Sequence, residues 1–303
     1  MKLTNKYNLP ISLVHAIENL CYDPRGADPK RLSVTKLINN PLPNLLNIKH
    51  WDEIEEDASE HIWRVAGSAM HWVLAQSEKD KEKSKTRLIE TKLEEKIDDF
   101  TIVGKLDLYD ESTSEVQDWK FTSVWSVQFG EHEEWEQQLN PYAWLLRKCG
   151  FKVEKASINA LLKDWRKSEL LKYADYPKIP FVNIPVKVWP FEQQQEFIEH
   201  RLEIYKEALK TPINELNYCN DKERWKKSDG FAVYKNENKA RAARVLETAE
   251  EAEQYIKDNT NGKDKFNIVK RPGVDLKCTE YCSVNQFCNY YKETYEQQKS
   301  QET

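Results

Sequence analysis

Two consecutive runs, FTIVGKLDLYD (residues 100–110) and EVQDWKFTSVW (115–125), constrain this chain most. Both are rich in β-branched and aromatic residues, and the Ser/Thr-rich turn ESTS between them folds one back beside the other as a hairpin. RLIETKLEEKI (87–97) reads as a third strand. Side chains alternate along a strand, so Asp118 and Lys120 point one way and Trp119 the other. The fold-back brings Asp107 close to Asp118, and Gly104 leaves local room for another backbone or a ligand. Two carboxylates held together repel unless a cation lies between them, and oxygen ligands of this kind suit Mg²⁺ or Mn²⁺. A lysine beside them can orient a water and stabilise charge on a phosphate. The same three residues also fit an ordinary exposed hairpin, so the flanking chain has to decide.

Upstream, SEHIWRVAGSAMHWVLAQSE (59–78) has Ile62, Val65, Ala66, Ala69, Val73 and Leu74 at helical spacing, which predicts an amphipathic helix carrying His71. A charged link, residues 79–85, separates it from the strands. Downstream, EEWEQQLNPYAWLLRKCG (133–150) reads as a helix closed by Gly150. Gln138 and Tyr142 are four apart on it, although Pro141 between them predicts either a kink or a helix that starts near Asn140. Tyr142 also fits a core packed with Trp135, Leu139 and Leu146. Strands at 151–165 and 181–189 and a helix at 190–210 follow. The succession of helix, three strands, helix, two strands and helix predicts an α/β domain with a mixed sheet flanked by helices. The expected divisions are a mostly helical N-terminal region (1–58), a core (59–210) and an extension packed on it (211–303), with a short acidic helix from Ala249 to Ile256.

Together these residues resemble the RecB-like branch of the PD-(D/E)XK nuclease superfamily. There a helical histidine precedes Gly-x-x-Asp, then Asp-x-Lys on the next strand, then a Gln-x-x-x-Tyr helix; here the matching residues are His71, Gly104 with Asp107, Asp118 with Lys120, and Gln138 with Tyr142. The match spans residues 67 to about 147. It implies a restriction-endonuclease-like core in which His71, Asp107, Asp118 and the Trp119 carbonyl hold the catalytic metal. Lys120 would serve the attacking water, and Gln138 and Tyr142 would position DNA. The implied activity is a Mg²⁺- or Mn²⁺-dependent DNA exonuclease, of a phage-type stand-alone form, in recombination, replication, repair or CRISPR-like adaptation. The rival class is a non-catalytic nucleic-acid-binding or scaffolding protein that keeps the fold, against which the intact Asp107, Asp118 and Lys120 set speaks.

Cys278, Cys282 and Cys288 form a C-x3-C-x5-C cluster, and thiolates so close together read as ligands of Zn²⁺ or of an iron–sulfur cluster. Iron–sulfur CRISPR-associated exonucleases and AddB-type nuclease domains, which the chain resembles, hold a [4Fe–4S] cluster with one N-terminal cysteine and three in a C-x2-C-x5-C arrangement. This chain departs twice: its spacing has one more residue, and Asn40-Pro41 stands where Cys-Pro would be. The resemblance implies a [4Fe–4S] cluster, with Zn²⁺ the alternative. Cys219, which begins the same extension, is preferred as fourth ligand over Cys21, and Cys149 is expected to be buried. Basic residues interleave with aromatics in the extension (Lys222, Arg224, Lys226, Lys227, Lys235, Lys239, Arg241 and Arg244 with Trp225, Phe231 and Tyr234), a pattern suited to single strands or to a solvated surface. KDWRKSE (163–169) is a further candidate phosphate contact.

Composition narrows the class without choosing the function. A net charge of −5 argues against coating nucleic acid by bulk electrostatics, though not against a local basic groove. No apolar run is long enough to cross a bilayer and the N-terminus has no apolar core with a cleavage site, so a cytoplasmic protein is expected, in a bacterial host if phage-encoded. Six cysteines in that reduced setting argue for metal binding over disulfides. No G-x-x-x-x-G-K-[ST] motif is present, so the protein would act on single strands or open DNA ends, or beside a helicase or recombination partner.

Overall fold

A mixed sheet carries the first of the two units, Met1–Leu216 and Asn217–Thr303, into which this computed structural model divides. The structure describes residues 1–78, 86–130, 132–235, 241–260, 262 and 264–296; the expected link 79–85 and Lys239 lie outside them. In chain order the first unit contains β1 (Lys2–Thr4), α1 (Ile11–Leu20), β2 (Arg31–Ser33), α2 (Val34–Ile38), α3 (Pro41–Lys49), β3 (Glu55–Asp57), α4 (Ile62–Glu78) and β4 (Arg87–Ile97). It continues with β5 (Phe100–Asp110), β6 (Glu115–Thr122), α5 (Val124–Phe129), α6 (Glu133–Lys148), β7 (Lys155–Leu162), β8 (Phe181–Val186) and α7 (Phe191–Ala208).

β5 organises the sheet. β4 pairs antiparallel along one edge, from Arg87 opposite Asp110 to Ile97 opposite Phe100. The other edge is shared: β2 runs parallel beside Thr101–Val103, and β6 runs antiparallel beside Leu108–Asp110. Among the described residues no strand pairs with that edge between Val103 and Leu108. β7 joins β6 in parallel and β8 closes the sheet antiparallel. This is the mixed α/β architecture the sequence predicts. The N-terminal region nevertheless contributes a strand, β2, whose three residues are too short to carry a periodic signal.

The core forms where α6 crosses the sheet. Leu139, Ala143, Trp144, Leu145 and Leu146 are buried in one cluster with Phe100, Ile102, Leu106, Ile158 and Ala160. Three glutamates in the first turn of α6 and Arg147 and Lys148 in the last complement its dipole. Pro141 lies inside α6, which neither breaks nor starts late there. The neighbouring Asn140 tethers the helix: its amide donates to the carbonyls of Glu136 and Lys187, both at 2.9 Å, and its oxygen accepts from Trp189 N at 2.8 Å and Gln194 Nε2 at 3.0 Å. Tertiary bonding thus overrides the local cost of the proline.

Three local expectations change. The strand expected at 115–125 ends at Thr122, and Ser123 caps α5 by accepting from Ser126 N at 3.1 Å. On α4, Val65 packs against the small cluster of Val14, Ile17 and Ala58, but Ala69 and Val73 are exposed, so the predicted apolar stripe is only partly covered. Cys149, at the C-terminal end of α6, is exposed.

The second unit holds β9 (Lys226–Lys227), β10 (Gly230–Lys235), β11 (Arg244–Leu246), α8 (Ala249–Asn259), β12 (Phe266–Arg271), β13 (Val274–Asp275), α9 (Leu276–Glu280) and α10 (Asn289–Tyr291). β10 is central between β11 and β12, and α8 starts with a Thr248/Glu251 capping box. Asp275 is the polar hub. It accepts from Arg224 Nε at 3.2 Å, Tyr290 at 2.7 Å and Tyr295 at 2.8 Å, and these bonds hold its carboxyl below the usual range against the effect of burial. Arg224, expected among the surface cations, is therefore internal; Lys226 pairs with Asp221 and Lys235 with Asp264. Among the described residues no helix is long and apolar enough to cross a membrane.

At Gly104 the helix α6 sits close against the sheet. A Cβ there would lie 2.5 Å from Leu145 Cδ1 and 2.8 Å from Tyr142 Cδ1. Gly104→Ala is expected to destabilise the first unit by about 1–3 kcal/mol through overpacking, read from the urea midpoint; an unchanged midpoint would mean that α6 yields freely at this contact.

Candidate metal centre

Asp118 is buried on β6, and its neighbours are arranged around that burial. Lys120, two residues on and on the same face, places Nζ 2.9 Å from Asp118 Oδ2. The contact is an ion pair, and this oxygen has no further hydrogen-bond partner among the described residues. Gln138 of α6 bridges the two: its Nε2 donates to Asp118 Oδ1 at 3.2 Å and its Oε1 accepts from Lys120 Nζ at 2.8 Å. Burial drives the Asp118 carboxyl upward; the Lys120 ammonium opposes this and the Asp107 charge adds to it.

Asp107 faces Asp118 by extension of the register. Leu108 opposes Gln117 in the last ladder pair, so the next rung would set Asp107 opposite Asp118, where the strands part. There Asp107 Oδ2 accepts from Trp119 N at 2.8 Å, supplying an acceptor in place of the opened ladder. Its Oδ1 lies 3.4 Å from His71 Nδ1 on α4. That bond raises the imidazole above its ordinary range, with burial opposing.

Glu90 is the residue the sequence reading missed. Its Oε1 is 3.8 Å from His71 Nδ1, and its other oxygen pairs with Lys105. On β4 the ladder runs through Ile89 opposite Leu108 and Thr91 opposite Leu106, leaving Glu90 across from Asp107 in register but outside the ladder. Glu90 has φ of +47°, a left-handed conformation that costs roughly 1–3 kcal/mol for a non-glycine residue. Nothing in a strand pattern announces such a residue; only the backbone angle and the register do.

Single ligand atoms of His71, Glu90 and Asp107 lie within 4.8 Å of one another. They line an open pocket of about 60 Å³ with Leu74, Ile89 and Trp119. A water needs roughly 10–15 Å³ on this scale, so the space admits an ion with part of its hydration shell. An imidazole beside carboxylates suits a divalent ion of the Mg²⁺ to Mn²⁺ type. Of the expected ligands, His71, Asp107 and Trp119 meet at this pocket; Asp118 is coupled to it through the charges of Asp107 and His71.

Tyr142 is buried rather than presented to solvent. Burial pushes its hydroxyl pKa up to about 12. In the second unit the four expected cysteines form one electrostatic group. Burial first, and then neighbouring charges, push the Cys219 thiol up to about 12 and Cys278 to about 11; Cys219 is coupled to Cys278 and Cys282, and Cys278 to Cys282 and Cys288. Cys21, by contrast, packs against Val14, Ile17 and Ala58 in the first unit.

A sequence profile of the PD-(D/E)XK nuclease superfamily matches residues 12–289. Among solved structures, that of SSO0001 is similar at 16% identity and a TM-score of 0.43, the match covering 65% of this chain and 88% of that one. A phage-related exonuclease from Haemophilus somnus 129PT is similar at 15% identity and a TM-score of 0.28, covering 46% and 73%. No curated protein gives a significant sequence match.

Titrating Mn²⁺ into the protein is expected to raise the melting temperature, because the ion binds the folded state alone. Glu90→Gln should weaken that binding by about tenfold and Asp107→Asn by more. Equal Mn²⁺ affinity in all three proteins would remove Glu90 and Asp107 from the site.

Proposed function

The chain belongs to the PD-(D/E)XK nuclease superfamily, and from that membership we propose that it is a metal-dependent DNA exonuclease of the RecB-like type. The observation that carries this reading is the Asp118–Lys120–Gln138 unit set beside His71, Glu90 and Asp107. A nucleic-acid-binding module has no need of a buried carboxylate against an ammonium at the rim of an acidic pocket.

His71, Asp107, Asp118 and the Trp119 carbonyl are the proposed ligands, with Glu90 added to them. The ion, as Mg²⁺ or Mn²⁺, would polarise the phosphate and acidify a water. The remaining roles fall to side chains. Lys120 has three N–H donors; Gln138 engages one and the ammonium pairs ionically with Asp118, which leaves donor capacity, among the described residues, for the attacking water or a phosphate oxygen. Gln138 holds Lys120 and Asp118 at a fixed separation and so acts as a positioning residue, in addition to the DNA contact proposed for it and for Tyr142. Residues 59–210 are proposed as the nuclease core, acting on single strands or open ends, alone or beside a helicase or recombination partner.

Labelled DNA incubated with Mn²⁺ tests the reading. Cleavage is expected to fall by about 10²–10³ in Lys120→Ala, the scale of losing one charge-stabilising donor. No cleavage by the parent chain, with binding retained, would favour a scaffolding protein; cleavage indifferent to the substitution would move the active site elsewhere.

We further propose that Cys219, Cys278, Cys282 and Cys288 hold a [4Fe–4S] cluster. Half-buried cysteines whose thiolates would repel one another are relieved by a soft cation, which supports this reading. Purified protein is expected to be brown and to contain about four irons per chain, and Cys282→Ser to lose both colour and iron. Zinc in place of iron, or no metal at all, would contradict the assignment.

A further inference from the structure

The strand that carries Lys120 leads directly onto exposed aromatic rings. Phe121, the next residue, lies 6.2 Å from Trp63, centroid to centroid, and Trp63 at the start of α4 is 59% exposed. Lys163 sits over the Trp63 ring with Nζ 5.0 Å from its centroid, and its backbone N–H donates to Thr122 O at 2.9 Å. This cation and ring are therefore fixed to the end of β6. Immediately beyond, α5 presents Trp125 and Phe129, 64% and 68% exposed, with their centroids 6.4 Å apart.

The segment is anchored. Asp164 accepts from Val124 N at 2.8 Å, and Gln128 donates to the Asp175 carbonyl at 2.7 Å. Lys163, Arg166 and Lys167 are exposed, and among the described residues none of them has a carboxylate partner. Large rings left in water next to unpaired cations are unfavourable for a free surface, since burying one such ring is worth about 2 kcal/mol. Their complement is a ligand with flat apolar faces and regularly spaced negative charge. Unpaired bases on a phosphate backbone have both; a duplex hides the base faces. Trp63 and His71 are eight residues apart on α4, about 12 Å, which matches three or four stacked nucleotides.

We propose that Trp63, Phe121, Trp125, Phe129 and Lys163 form a stacking platform that takes a single-stranded DNA end and directs it to the metal centre. This names the substrate class of the proposed nuclease and rests on that reading for the direction of travel, while binding itself does not. Anisotropy of labelled dT20 and of a blunt duplex of equal length, measured on the full chain with a chelator present so that hydrolysis cannot intervene, tests it. We expect dT20 to bind at least about tenfold tighter than the duplex. Trp63→Ala and Lys163→Ala should each weaken dT20 binding by about tenfold at unchanged melting temperature, whereas Trp63→Phe, which keeps a ring, should retain most of it. Should Trp63→Ala lower the melting temperature, Trp125→Ala on the exposed face of α5 serves in its place. Equal affinity for duplex and single strand, parental affinity in the alanine variants, or no oligonucleotide binding because the rings serve a protein partner would each overturn the proposal. Ring-dependent dT20 binding in a chain that cleaves nothing with Mn²⁺ would instead refute the nuclease and leave the platform standing.

Discussion

Asp118 is a carboxylate shut away from water, one strand from a second carboxylate and two residues from an ammonium. Taking such an ion out of water costs several kcal/mol, and removing one partner of a buried pair typically costs about 3–5 kcal/mol. The fold must therefore deliver Lys120 and Gln138 accurately. β6 delivers the lysine by its alternation, and α6 delivers the amide, provided the helix continues through Pro141. Asn140 secures that continuity by bonding to the helix, to Lys187 and Trp189, and to Gln194 of α7. The close seating at Gly104 fixes the height of α6 above the sheet.

The second constraint is an unpaired stretch of backbone. β2 and β6 divide one edge of β5, and the gap they leave between Val103 and Leu108 contains Asp107. Asp107 satisfies the Trp119 N–H there and still directs its other oxygen at His71. Opposite it, Glu90 departs from strand geometry and turns toward the same histidine. Strain of this kind persists only where surrounding structure over-determines it, and at this position it coincides with the densest group of ligand atoms among the described residues.

Much of this was legible in the sequence, for reasons that differ by element. The alternation of 87–97 and 100–110, the ESTS turn and the apolar face of 133–148 are local signals, and the strands and helix lie where those signals place them. His71 lies beside Asp107, and Asp118 beside Lys120 and Gln138, because the hairpin register and the helix that crosses it follow from the same patterns. Other features depended on distant partners. Pro141 suggested a break that only the Asn140 tether prevents, β2 was too short to be periodic, and Glu90 looks like any half-exposed strand glutamate until its φ is known. Ser123 is a local helix-start signal, but the β-branched and aromatic run through Trp125 masks it. In the second unit, Arg224 had the sequence texture of a surface cation but is held internally by Asp275 and Tyr290, a pairing across fifty residues that composition does not reveal.

In the proposed function the acidic groups of β4, β5 and β6, with the histidine of α4, enclose one divalent ion. Anomalous diffraction from a crystal grown with Mn²⁺ would locate that ion. A manganese peak bounded by His71, Asp107 and Asp118 is expected. A peak elsewhere, with these side chains still bonded to one another as they are here, would contradict it.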